Sequence, residues 1–166
     1  MTKSMNEIQK ISTYLSFIID NEYFAVNVGK VLEVLLSQKI TRIPNVSNEI
    51  KGVINFRGEI IPLFETRSLF GVPNRNENEK LVVIVLEIAS EAGTAVIGAM
   101  ADKVKDVITI EPAAVLPVPK MHSRINTDYI SGIYQLNDKF IMLLDVDKMF
   151  NDSEIEDFGK KHLANI

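Results

Sequence analysis

No cysteine occurs anywhere in the 166 residues. That absence removes disulfides, thiol nucleophiles and cysteine-ligated zinc together, and it fits a reducing, cytoplasmic setting. Histidine is nearly absent too, with only His122 and His162. Neither has a local Ser, Asp or Glu arrangement suggesting a triad, so both read as solvated surface residues and a nucleophile would lack its base. No apolar run approaches the roughly 18 residues that span a bilayer. The opening Met1 to Gln9 is polar with no apolar stretch behind it, so no signal peptide is expected. Positive charge is in short supply: 18 Lys and Arg stand against 22 Asp and Glu, a net −4 that argues against nucleic acid as a partner. The 46% hydrophobic and 24% charged content is that of an ordinary globular protein, one domain or two very small ones.

What the chain does have is a repeat. Ile50 to Phe70 reads as a hairpin, with β-rich runs Val53 to Phe56 and Ile60 to Phe64 about an Arg57-Gly58 turn, then a short helix from Glu65 that Gly71 caps and Pro73 ends. Ile130 to Phe150 repeats it without a gap, 80 residues on. Gly52 falls on Gly132, Phe56 on Leu136, Glu65 on Asp145 and Phe70 on Phe150, while Asn137-Asp138 replaces Arg57-Gly58 with a pair of similar φ > 0 tolerance. Lys103 to Ile108 matches Lys30 to Leu35 at an offset of 73, which Pro117 keeps from Pro44. Seven extra residues therefore lie between Pro117 and Ile130, with Pro119 to Asn126 the expected insertion.

Taken in order, residues 1–13 form a flexible lead. Tyr14 to Ile19 and Tyr23 to Val28 form two strands about an Asp20 to Glu22 turn, and Val31 to Leu36 a third with Glu33 its only charge. The polar stretch Pro73 to Lys80 marks a boundary between halves. Leu81 to Ile88 is an almost uninterrupted apolar strand, as expected when both faces are buried, and Ala95 to Met100 returns. Each half thus offers about five short strands and one short helix in about 65 residues, which should curl into a small barrel. The expected fold is all-β: a first barrel over about 14–72 and a second over about 81–150. They pack through an apolar seam whose groove would hold a ligand or partner. Residues 151–166 are set apart, where Ser153 to Glu156 fits a capping box and the segment is a short docking helix or a frayed end.

Chemistry is sparse. Asp145 and Asp147 share one face if extended, so a metal or acid–base pair is one reading. The other is helix capping, since Glu65 occupies the Asp145 position of the first copy where a strand gives way to a helix. Gly93 to Gly98 has P-loop glycine spacing, but Ala99-Met100 stands where Lys and Ser or Thr are required, so phosphate would not be held. Gly98 reads instead as a site of close backbone packing. Arg57 at a hairpin tip can stay solvated or engage a partner's carboxylate, and a Glu33–Arg57 pair across neighbouring strands is expected.

The runs Lys30 to Val34, Ile40 to Pro44, Ile50 to Gly58, Leu81 to Leu86, Asp102 to Val107 and Thr127 to Ile133 resemble the bacterial chemotaxis coupling protein family CheW. The similarity covers about Tyr14 to Phe150, and Lys51-Gly52-Val53-Ile54-Asn55-Phe56-Arg57-Gly58 is its most specific run. The resemblance implies two intertwined five-stranded SH3-like barrels with possible strand exchange. It implies a non-enzymatic cytoplasmic adaptor without cofactor or metal, recruited to membrane-associated receptor arrays. The implied partners are the cytoplasmic tips of methyl-accepting chemotaxis receptors, gripped as a helical hairpin in the groove between barrels, and the regulatory domain of the histidine kinase CheA on another face. Carried over by position, the receptor-binding residues would be Val31, Glu33, Arg57, Gly58, Val82, Val83, Gly98, Val104 and Val107. Plain core packing competes for the valines. Pro62 to Thr66 departs from the two small aliphatics and Asp-Leu more usual in that family. The competing readings are a small metal-dependent hydrolase using Asp145 and Asp147, and a small-ligand binder.

Overall fold

β-Branched and aromatic runs broken by Gly, Asn and Asp turns produce ten strands among the described residues. The computed structural model describes residues 12–36, 38–73, 80–90, 93–119 and 127–150. Among these the strands are β1 (Ser12–Ile19), β2 (Glu22–Asn27), β3 (Val31–Leu36), β4 (Ile50–Phe56), β5 (Glu59–Phe64), β6 (Val82–Ser90), β7 (Gly93–Ala101), β8 (Lys103–Ile110), β9 (Ile130–Leu136) and β10 (Lys139–Leu144). Short helices Thr66–Leu69 and Val146–Phe150 follow β5 and β10. The expected lead before Ser12, the insertion with His122, and the tail with His162 and the capping box lie outside the described residues.

The strands form two curled five-stranded sheets, in the orders β3-β6-β7-β5-β4 and β8-β1-β2-β10-β9. The two orders map onto each other strand for strand through the repeat, so the duplication read in the sequence is a duplication of the fold. Each sheet contains one parallel pair, β5 with β7 and β10 with β2.

The sheets do not follow a plain division into 14–72 and 81–150 but exchange strands, as the family resemblance implied. The first barrel is β3 to β7, continuous in the chain, whereas the second takes β1 and β2 from the N-terminal side and β8 to β10 from the C-terminal side. The reason lies in two short connections. Asp102 alone separates β7 from β8, and a hairpin needs at least about two loop residues, so the chain runs on into the other sheet. Between β2 and β3 only the 3-10 turn Val28–Lys30 intervenes, its start held by the Asn27 side chain accepting from the Gly29 N–H at 2.8 Å.

Among the described residues three apolar cores result. Ile54, Phe56, Ile61, Leu63, Val83, Val85 and Met100 fill the first barrel. Ala25, Ile110, Ile141 and Leu143 fill the second. The largest lies between the barrels, where Leu15, Phe17, Ile19, Phe24 and Val26 meet Ile84, Leu86, Ile88, Ile97 and Ala99. This explains the β6 pattern: Val83 and Val85 point into the barrel, Ile84, Leu86 and Ile88 into the seam. Each terminal helix inserts an aromatic into that seam. Phe70 stacks on Phe24 at 4.7 Å and Phe150 packs against Phe64 at 5.0 Å, the two repeat-related phenylalanines playing the same part. At about 1.5–3 kcal/mol for each large side chain buried, the seam is the dominant source of cohesion between barrels.

Candidate docking surface along the barrel seam

In an antiparallel pair, directly opposed residues point to the same face. On β3, Val34 opposes Ile84 and Leu36 opposes Val82, which in turn opposes Ala101. On β8, Val104 opposes Phe17 and Val107 opposes Leu15. Ile84, Ala101, Phe17 and Leu15 all belong to the seam core. Val34, Leu36, Val82, Val104 and Val107 therefore stand on the seam face, but β3 and β8 are edge strands and leave them partly uncovered. Leu36 is 68% and Val107 63% exposed, values unusual for aliphatics on a face that is otherwise a core.

The nine expected receptor-binding positions fall into three groups. Val31, Val82, Val104 and Val107 are on this face, the first three packed half-buried against the seam core. Glu33, Arg57 and Gly58 lie at the mouth of the first barrel. Glu33 opposes Val85, which faces the barrel interior, and Arg57 Nη2 reaches Glu33 Oε2 at 3.7 Å while its guanidinium lies 4.7 Å over the Phe56 ring. Both side chains are well exposed, so the pair contributes only about 0–1 kcal/mol. Val83 and Gly98 are interior. Val83 is 0% exposed, and a Cβ on Gly98 would meet Val83 Cγ1 at 3.0 Å and Leu63 Cδ1 at 3.1 Å, so both residues serve packing and present no surface. Val34 and Leu36 were missed by the sequence reading. Their i, i+2 spacing on the face opposite Glu33 is the signal that could have found them.

Inside the seam a void of about 10 Å³ remains among Phe17, Ile84, Leu144 and Phe150. A concavity of about 940 Å³ lies beside Arg42, Ser47, Glu49, Lys51 and Glu65 as a shallow depression. Its polar lining is unlike the mostly apolar wall of a small-molecule site. Of the two readings of the carboxylates, helix capping holds and the metal pair does not. Asp145 and Asp147 do not converge on a metal position. Asp145 Oδ1 accepts from the Lys148 N–H at 3.1 Å, capping the helix as Glu65 Oε1 caps its own by accepting from the Arg67 N–H at 3.3 Å. Asp147 accepts from the Ala89 N–H at 2.8 Å and pairs with Lys30 Nζ at 2.7 Å. Among the described residues no three His, Asp or Glu side chains come together as metal ligands. The hydrolase reading has no support in this geometry.

Comparison with known proteins gives a concordant result. The family model of CheW-like domains matches residues 13–154. The chemotaxis protein CheW of Klebsiella aerogenes is 31% identical over 152 residues, covering 90% of this chain and 89% of that one. The chemotaxis protein CheW of Helicobacter pylori is 27% identical, covering 85% and 82%. Among solved structures, the scaffolding protein TtCheW from Thermoanaerobacter tengcongensis superimposes with a TM-score of 0.75 at 27% identity, over 87% of this chain and 95% of that one.

Proposed function

This chain belongs to the CheW family, and from that premise we propose that it couples methyl-accepting chemoreceptors to the histidine kinase CheA. It is a chemotaxis adaptor of the scaffold type and not an enzyme. The observation that carries the reading is the set of uncovered aliphatics on the seam face, Val34, Leu36 and Val82 in one sheet and Val104 and Val107 in the other, which we read as one strip. A strip of this kind suits the apolar face of a helix, whose residues at i, i+3, i+4 and i+7 form a matching ridge. The receptor's cytoplasmic helical hairpin lies along it, with Val31 at its floor. Arg57 and Glu33, with Gly58 beside them, flank the docked hairpin and set its orientation, since exposed charges act on partner choice more than on affinity.

The regulatory domain of CheA takes a different face, leaving the strip free for the receptor. Among the described residues no helix is long and apolar enough to cross a membrane. The protein is then drawn from the cytoplasm to the receptor array by these contacts alone. The test is co-sedimentation with receptor-containing membranes, with and without CheA. Wild-type protein should pellet in both cases and raise kinase activity, and Val107→Asp should lose both effects while keeping its circular dichroism spectrum. Retention of receptor binding by Val107→Asp and Leu36→Asp alike would defeat the proposed location.

A further inference from the structure

Positions 67 and 147 correspond in the repeat, and each is the second residue of a short helix. Both side chains reach across to the point where the chain changes barrel, but with opposite charge. Arg67 Nη2 meets Asp102 Oδ2 at 2.7 Å on the β7–β8 connection, and Asp147 Oδ2 meets Lys30 Nζ at 2.7 Å at the end of the β2–β3 connection. In each case the carboxylate also accepts a backbone N–H from a hairpin. Asp102 Oδ2 accepts from Asp20, at the turn between β1 and β2, at 2.8 Å. Asp147 Oδ1 accepts from Ala89, in the β6–β7 hairpin, at 2.8 Å. Each cluster therefore ties a helix, a crossover and a hairpin into one knot that spans both barrels.

We infer that these two knots set the angle between the barrels, with Arg67–Asp102 as the fixed one and Lys30–Asp147 as the one that yields. The hydrophobic effect that closes the seam is non-directional, so the choice of one angle falls to packing and to directional contacts. Charge-assisted hydrogen bonds have preferred geometry and do oppose them. The two knots differ in shielding: the Arg67 and Asp102 side chains are 11% and 22% exposed, those of Lys30 and Asp147 36% and 33%. Salt and water therefore compete more effectively at the second. The docking strip takes Val34, Leu36 and Val82 from one barrel and Val104 and Val107 from the other, so its shape follows the angle. That consequence rests on the adaptor reading, whereas the knots themselves do not.

The cysteine-free chain makes the test direct, because Glu59→Cys with Thr109→Cys places one spin label on an exposed position of each barrel and nowhere else. Electron–electron distance distributions are compared for wild type, Lys30→Met, Asp147→Asn and Lys30→Arg in that background, alongside affinity for a receptor cytoplasmic fragment. Asp147→Asn keeps an acceptor for the Ala89 N–H, which guards against simple misfolding. Lys30→Met and Asp147→Asn should broaden the distribution and weaken fragment binding by about fivefold or more, with Lys30→Arg restoring both. Wild type in about 1 M salt should broaden likewise. A distribution as narrow in Lys30→Met as in wild type would overturn the inference, and broadening without any change in affinity would uphold the knots but overturn their link to docking. If wild type fails to bind the fragment, the adaptor reading falls, while the distance distributions still decide for or against the knots.

Discussion

Arg57 shows how a single residue can be poorly chosen for folding. It sits at φ 52°, followed by Gly58 at φ 84°, a left-handed pair that suits Asn or Gly far better than Arg. Asn55 Oδ1 supports the turn by accepting from the Gly58 N–H at 3.1 Å. Arg57→Gly should therefore leave stability unchanged or raise it by about 0.5–1 kcal/mol in urea unfolding, while reducing receptor-dependent kinase activation. A fall in stability of more than about 1 kcal/mol would show that the Glu33 pair and the Phe56 contact matter more than the strain. The repeated glycines are of another kind. A Cβ on Gly52 would be driven into the Thr41 carbonyl oxygen, and one on Gly132 into the Val115 side chain, because a neighbouring segment bridges to each strand there. Gly52→Ala, which meets backbone, should cost at least about 1–3 kcal/mol; Gly132→Ala, which meets a side chain able to shift, should cost less. Chemical denaturation of the two variants measures the difference.

At the scale of the element, the two short helices show how little local propensity is needed. Four or five residues are far below the length at which a helix is stable in water. The first is held by Glu65 at its start and by a Schellman arrangement at its end, with the Gly71 N–H on Ser68 O and the Val72 N–H on Arg67 O. Gly71 lies at φ 68°, so Gly71→Ala should lower stability by about 1 kcal/mol. The second helix carries Asp147. Burial pushes its carboxyl upward, but the hydrogen bond from Lys30, the Ala89 N–H and the Lys30 charge outweigh it and hold it below the ordinary value. A carboxyl depressed in the folded state contributes stability above its unfolded pKa of about 3.9, and that contribution is lost as pH falls through the folded value. Wild type should thus lose more melting temperature than Asp147→Asn on acidification below about pH 4. Parallel curves for the two proteins would mean that the Asp147 knot contributes nothing to stability.

For the whole molecule, the shared seam makes the barrels interdependent. The first barrel is continuous from β3 to β7, yet its isolated fragment would expose Ile84, Leu86, Ile88 and Ile97 to water. Residues 31–101 expressed alone should aggregate or bind a hydrophobic dye, despite containing every strand of one five-stranded sheet. The intact protein should unfold in one transition, with circular dichroism and amide exchange in β6 and β2 following a common curve. Separate transitions for the two barrels would show that the seam is weaker than its burial implies.

Most of the architecture was legible without coordinates, because hydrophobic alternation, Gly and Asn turns and the repeat are all local or copy-to-copy signals. These identified most strand cores, the hairpins, both capped helices and the all-β class; the Glu33–Arg57 pair also forms, but between the two ends of the first sheet and not across neighbouring strands. The sheet partners were a different matter. Chain order alone leaves open whether a strand returns beside its predecessor or crosses to another sheet, and the one-residue β7–β8 connection decides it. The candidate surface suffered for the same reason. Val83, Val104 and Val107 look alike in sequence, yet one fills a barrel, one edges the seam and one stands in solvent. Composition and periodicity determined that this chain builds two small β-barrels with little catalytic equipment. Only the tertiary structure, by exchanging strands and ending each sheet on an apolar edge, decided which side chains remain uncovered for a partner.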